Sequence, residues 1–147
     1  MEIAILGLGC FWGPEIKFSK VKGIIKTEVG YCGGYNKETT YKEVCTGNTN
    51  HAEVVKLDYD PKIISYEKIL KFFFEIHDPT TLNSQGPDFG TQYRSEIFYL
   101  NDQQKEISEK VIKEENIKFS GKIVTKTSLV KNYCPAEEYH QKYLEKR

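Results

Sequence analysis

Apolar and polar positions along this chain change their spacing several times, and each change marks an expected element. Ile3-Ala4-Ile5-Leu6-Gly7-Leu8 is an unbroken apolar run, which predicts a buried strand over 2–8. A short helix is expected over 13–21, where Pro14 suits a first turn because its missing N–H costs little there. Ile24 to Tyr31 is rich in β-branched residues and reads as a strand that breaks at Gly33-Gly34. A loop follows, carrying Tyr35, Asn36 and the Thr39-Thr40-Tyr41 step. From His51 to Tyr59 the residues alternate: Ala52, Val54, Lys56 and Asp58 fall on one side, Glu53, Val55, Leu57 and Tyr59 on the other. Asp60-Pro61 ends that strand.

Ser65 is placed to cap a helix over 66–77, with Glu67 and Lys71 one turn apart. Residues 78–92 read as loop, and Tyr93 to Leu100 as a strand. Asn101 or Asp102 then caps an amphipathic helix to about residue 117, with Ile107, Val111 and Ile112 inward. Ile123-Val124-Thr125 opens a last strand, and Ala136 to Leu144 reads as a terminal helix. Interleaved strands and helices predict an α/β or α+β domain of two layers, and their order admits a ferredoxin-like core with additions. Periodicity alone does not choose between these.

Composition narrows the partners more than the fold. With 147 residues the chain suits a single domain over 1–147. Acidic and basic residues balance at 21 each, so no net field favours nucleic acid or a charged membrane surface. No apolar run approaches the ~20 residues of a membrane span. Glu2 stands where a signal peptide would carry a basic residue, so a cytoplasmic protein is expected. The cysteines at 10, 32, 45 and 134 would be kept reduced there, so reactive roles compete with structural disulfides. No Cys-x-x-Cys pair or histidine at ligand spacing points to a metal.

The chemistry gathers around Gly9-Cys10-Phe11-Trp12-Gly13-Pro14-Glu15. A cysteine between a buried strand and a helix start faces unpaired N–H groups and the positive end of the helix dipole, which favour a thiolate. The alternative is a buried inert cysteine in the first strand. Phe11 and Trp12 suit either ordinary core or the wall of an apolar pocket. Glu53 shares a face with Val55 and Leu57, where desolvation would raise its pKa and make it an acid near neutral pH. It could equally reach water or an arginine such as Arg94. Tyr41 and Tyr93 are packing or surface tyrosines in isolation, and Asp88 in Gly-Pro-Asp is by default a turn residue. A hydrolase with Cys10 activated by His51, His77 or His140 is the rival enzyme reading, and a methionine-binding module is the non-enzymatic one.

Five segments taken in order resemble the A-type peptide methionine sulfoxide reductases. They are Gly-Cys-Phe-Trp-Gly at 9–13, Gly30-Tyr31-Cys32-Gly33-Gly34, Tyr41 to Gly47 with His51-Ala52-Glu53-Val54-Val55, Gly90-Thr91-Gln92-Tyr93-Arg94-Ser95, and Ala136 to Tyr143. The resemblance implies an α+β two-layer sandwich with extra segments around a central sheet. It also implies reduction of the S epimer of methionine sulfoxide, free or in a polypeptide; a monomer is expected. Carried over by position, Cys10 is the nucleophile and Glu53 the acid. Phe11 and Trp12 hold the methyl group, Tyr41 and Tyr93 hydrogen-bond the oxygen, and Asp88 orients the site. Attack at sulfur leaves methionine and a sulfenic acid on Cys10. No bound cofactor or metal is implied, only an external thiol reductant, thioredoxin or glutathione with glutaredoxin.

Many members of that family carry resolving cysteines in a glycine-rich tail beyond the last block, whereas this sequence ends at Arg147. Three routes for recycling Cys10 are therefore expected on equal terms: an external thiol acting directly, Cys134, or Cys32. Cys45 reads as a packing residue.

Overall fold

The computed structural model describes residues 1–146. The order along the chain is β1 (Glu2–Leu8), α1 (Trp12–Ser19), β2 (Ile24–Cys32), α2 (Tyr41–Cys45), β3 (Ala52–Tyr59) and α3 (Tyr66–Glu75). There follow a small hairpin of β4 (Ser84–Gln85) and β5 (Asp88–Phe89), then β6 (Ser95–Tyr99), α4 (Asp102–Lys118), β7 (Lys126–Leu129), β8 (Cys134–Pro135) and α5 (Tyr143–Lys146). The main sheet runs β7-β6-β1-β3-β2-β8. Its four central strands are antiparallel to their neighbours, and with α1 and α3 they form the strand order of a ferredoxin-like core. β7 adds to β6 in parallel and β8 to β2 antiparallel, so the sheet is mixed. No helix among the described residues is long and apolar enough to cross a membrane.

The alternation read in β3 sorts its side chains as expected. Val55, Leu57 and Tyr59 join Leu6, Leu8, Val29, Tyr31 and Ile97 in the main core, closed by Phe18 of α1, Ile69, Leu70 and Phe73 of α3 and Val111 of α4. The opposite face buries Ile5, Cys32, Ala52, Val54 and Phe98 under Val130 and Tyr133. Ser65 caps α3 by accepting from the Lys68 N–H, and Asn101 caps α4 by accepting from the Gln104 N–H.

Four sequence expectations fail, each for a tertiary reason. Tyr93 lies in a 3-10 turn over Thr91–Tyr93, outside the strand, because the chain pivots at Gly90 before entering β6. The last strand starts at Lys126, since the Val124 N–H is taken by Pro79 O before pairing with β6 begins. Tyr41–Cys45 forms a short helix inside the expected loop, capped by Thr40, whose hydroxyl oxygen accepts from the Glu43 N–H. Residues 136–144 form no continuous helix. Cys134-Pro135 pair with β2, a 3-10 turn spans Glu138–His140, and Lys142 adopts a left-handed φ of 51° before α5.

That terminal segment is a strap laid against the sheet edge. Its Gln141 side chain stands in for a strand residue, accepting from the Val29 N–H and donating to the Val29 carbonyl. The buried Glu15 of α1 accepts from Thr27 Oγ1 at 2.8 Å and from the Lys142 N–H at 2.7 Å, pinning the strap beside Trp12. Replacing Glu15 by Ala strands both donors and is expected to cost about 2–4 kcal/mol in urea denaturation. A loss under about 1 kcal/mol would show that the strap is held without Glu15.

Candidate active site

Gly9 turns the chain out of β1 at a φ of 95°, and a Cβ there would meet Gln85 Cβ and Cγ at 2.8 Å. The β4–β5 hairpin therefore seats directly on Gly9, and it is itself held by paired hydrogen bonds between the Gln85 amide and the backbone of Asp78. This brings Asp88 into electrostatic range of Cys10 and Glu53. Cys10 follows at the mouth of α1, half-buried and free.

Glu53 projects from the core face of β3, opposite Tyr31 in the register. It is 1% exposed. Its Oε1 accepts from the Phe11 N–H at 3.3 Å, and its Oε2 has no partner. Burial pushes its carboxyl up to about 8, against the opposing pull of the Phe11 N–H and with a further push from Asp88. Arg94 does not neutralise it: the guanidinium pairs with Glu96 at 2.6 Å and donates to the carbonyls of Thr91 and Asn50. At neutral pH Glu53 holds a proton that it can give away.

Cys10 departs from the thiolate expected at a helix start. The Trp12 N–H does lower its pKa, but burial outweighs that donor, and the negative charge of Asp88, joined by that of Glu53 once it ionises above about 8, pushes the thiol up to about 11. The resting pair is thus a thiol and a carboxylic acid side by side.

The aromatic residues divide into a floor and a wall. Phe11 is 1% exposed and packs on Tyr31 and His140, with ring centroids 5.7 and 5.2 Å away. Trp12 is partly open and stacks on Tyr143 at 3.9 Å and 9°. Tyr41 opens α2 beside His140, with centroids 4.5 Å apart, and its phenol lies within electrostatic range of Cys45, Tyr93 and Glu53. The phenol of Tyr93 shares electrostatic surroundings with Glu53, Cys45, Asp88 and Cys10, and burial before charge pushes it up to about 12. It remains a hydrogen-bond donor across the neutral range.

Residues that sequence reasoning did not place are supplied by the strap. Glu137 accepts from Tyr31 Oη at 2.8 Å and from the Tyr41 N–H at 2.9 Å. Burial alone would raise its carboxyl, but these donors hold it below its usual value. The available signal was chemical: a half-buried indole N–H needs an acceptor, and the strap carries His140.

The remaining thiols are spread over both faces of the sheet. Cys32 points to the opposite face from Glu53, buried with its Sγ toward the Lys131 carbonyl at 3.3 Å. Cys134 pairs opposite Tyr31 and so shares the site's face, near the Thr39 carbonyl at 3.8 Å. Cys45 is exposed, which corrects its reading as a packing residue. The histidines of the hydrolase reading are engaged elsewhere: His51 with the Asn36 carbonyl, His77 with the Phe73 carbonyl and Ser95, and His140 with Trp12.

Known proteins share this chain and fold. A family model described as peptide methionine sulfoxide reductase matches residues 2–147. The peptide methionine sulfoxide reductase MsrA of Pelagibacter ubique is 84% identical over 147 residues, covering 100% of both chains. The crystal structure of Mxr1 from Saccharomyces cerevisiae in reduced form matches with a TM-score of 0.94 at 44% identity, over 99% of this chain and 85% of that one. Mxr1 in complex with Trx2 matches with a TM-score of 0.69 at 30% identity, over 97% and 84% respectively. The chain belongs to the peptide methionine sulfoxide reductase family, and it is an oxidoreductase of the A type.

A carboxyl whose folded pKa of about 8 lies above its ordinary 4.5 binds its proton more tightly when folded. The stability this gives is complete below the unfolded value and is lost as pH rises through the folded one. Wild-type stability in urea should therefore fall, relative to Glu53→Gln, as pH rises from about 4.5 to 8, with a constant difference above. Parallel profiles for the two proteins across that window would mean that Glu53 ionises normally.

Proposed function

We propose that this reductase acts on the S epimer of methionine sulfoxide, in polypeptides or free, with Cys10 as nucleophile and Glu53 as acid. The observation that carries this reading is the buried Glu53 carboxyl, protonated to about 8 with a bare Oε2, beside a free thiol. Sulfoxide sulfur is a poor electrophile until its oxygen is protonated, so an acid that retains its proton at neutral pH is the group the reaction lacks in water. Glu53 donates to the oxygen while Cys10 sulfur attacks the substrate sulfur and passes its own proton to the vacated carboxylate. The S–O bond breaks as Glu53, reprotonated by the thiol, releases the oxygen as water, leaving the two sulfurs joined in a sulfonium. Water then attacks Cys10 sulfur and gives its proton to Glu53, and the S–S bond breaks to release methionine. The thiol is oxidised to a sulfenic acid and the sulfoxide is reduced, which balances the step.

Tyr93 and Tyr41 support the oxygen as donors. Trp12 walls the methyl group over a Phe11 floor, and Asp88 orients the pair while its charge keeps both protons in place. An apolar cage for the methyl with an acid on one side determines which epimer presents its oxygen to Glu53.

Recycling requires a thiol. Among the internal candidates Cys134 shares the site's face, whereas Cys32 would have to cross the sheet. An external dithiol such as thioredoxin, or glutathione with glutaredoxin, completes either the direct or the Cys134 route. The complex of the yeast relative with Trx2 favours the thioredoxin route.

Thiol-dependent turnover of each epimer, measured separately, tests the assignment: the S epimer should be reduced, the R epimer spared, and Cys10→Ser inert. Glu53→Gln should lower kcat at neutral pH by about 10²–10⁴-fold while leaving sulfoxide binding within a few-fold. Unchanged turnover in that variant removes the acid role. Mass spectrometry after one equivalent of sulfoxide should find a Cys10 sulfenic acid, a glutathione adduct, or a Cys10–Cys134 linked peptide. A Cys10–Cys32 link would reverse the preference between the two internal thiols.

A further inference from the structure

We propose that His140 is a positioning residue: as a hydrogen-bond acceptor it aims the Trp12 indole that walls the methyl site. This rests on the reading of Trp12 as that wall. The Trp12 Nε1–H donates to His140 Nδ1 at 3.1 Å, across 128 positions of sequence. A nitrogen that accepts carries no proton, so the imidazole holds its proton on Nε2. That Nε2 is buried without a partner, and the ring as a whole is 1% exposed. A ring chosen only for packing would not bring a buried, unsatisfied N–H into an aromatic cluster. The bond to Trp12 is what the imidazole provides in exchange.

The surroundings fit an aiming role. His140 contacts Phe11, Trp12, Tyr41 and Tyr139, so one ring touches both the floor and the wall of the site and the tyrosine beside them. Tyr143 stacks flat on the same indole. Stacking alone leaves the indole free to slide and spin in its plane. A directional bond at Nε1 removes that freedom and sets which edge of the ring meets the substrate methyl. Binding of the methyl group is made before and during reaction alike, so its loss acts on KM more than on kcat.

Trp12 is the sole tryptophan of the chain, so its emission reports on this site alone. Asparagine and leucine have nearly the same shape, but only asparagine places an acceptor near Nδ1. His140→Leu is expected to raise KM for methionine-S-sulfoxide about five- to tenfold with kcat within twofold, and to lower Trp12 fluorescence anisotropy. His140→Asn should restore KM to within twofold of wild type and restore the anisotropy. Equal KM values in the two variants, both raised, would overturn the acceptor role and leave packing. If the leucine variant does not fold, a KM raised about five- to tenfold in His140→Asn alone overturns the acceptor role equally. Trp12→Phe separates this inference from the reading beneath it. An unchanged KM there removes the wall itself, whereas a raised KM there with a normal KM in His140→Leu removes only the role of His140.

Discussion

Keeping one carboxyl out of water is the constraint on which the site depends. Glu53 stands on the core face of the central strand β3, among residues whose burial stabilises the whole sheet. Moving it to the other face would require a one-residue slip of register, which would turn Val55, Leu57 and Tyr59 away from the core as well. The same packing that folds the domain therefore desolvates the acid. Its proton is retained because the carboxylate has one weak backbone donor and no cation.

Cys10 is governed by the same environment. A helix start lowers a thiol pKa only while solvent or charge does not oppose it, and here burial and two carboxyl groups do. At rest Cys10 and Glu53 are both uncharged. In the proposed mechanism, thiolate forms when a substrate draws the proton from Glu53 and opens a place for that of the thiol, so both groups are activated by the same event. A thiol held this way is also less exposed to casual oxidation than a free thiolate would be.

The C-terminal strap closes the edge of β2 beside the site. Gln141 and β8 complete the edge of β2, Glu15 fastens Lys142, and Glu137 ties Tyr31 to the start of α2. These contacts join positions roughly a hundred residues apart, and each uses a buried or half-buried polar group that would be costly to leave unpaired. The strap is thus held by directional bonds more than by apolar burial, and it hands that direction on to Trp12 through His140 and Tyr143.

From the residues alone, the strands β1, β2 and β3, the capped helices α3 and α4 and the sidedness of β3 were all legible, because local period and capping chemistry carry them. The anomalous Glu53 was legible for the same reason: alternation assigns a face without knowledge of the partner. Cys10 was legible as reactive in position but not in protonation state, since the helix start is local whereas Asp88 arrives from a hairpin almost eighty residues later. The terminal segment misled for a related reason. Ala136 to Leu144 has helical composition, yet Gln141, Lys142 and Glu137 form better bonds to β2, Glu15 and Tyr31 than a helix would offer them. Sequence by itself thus determined the scaffold, the place of Cys10 at a strand end and the face on which Glu53 lies, which depend on spacing along one strand or one turn. Only the tertiary structure decided the charge state of the thiol, the faces on which Cys32 and Cys134 lie, and the acceptor that aims Trp12. Each of those follows from desolvation or contact between segments that no local pattern joins.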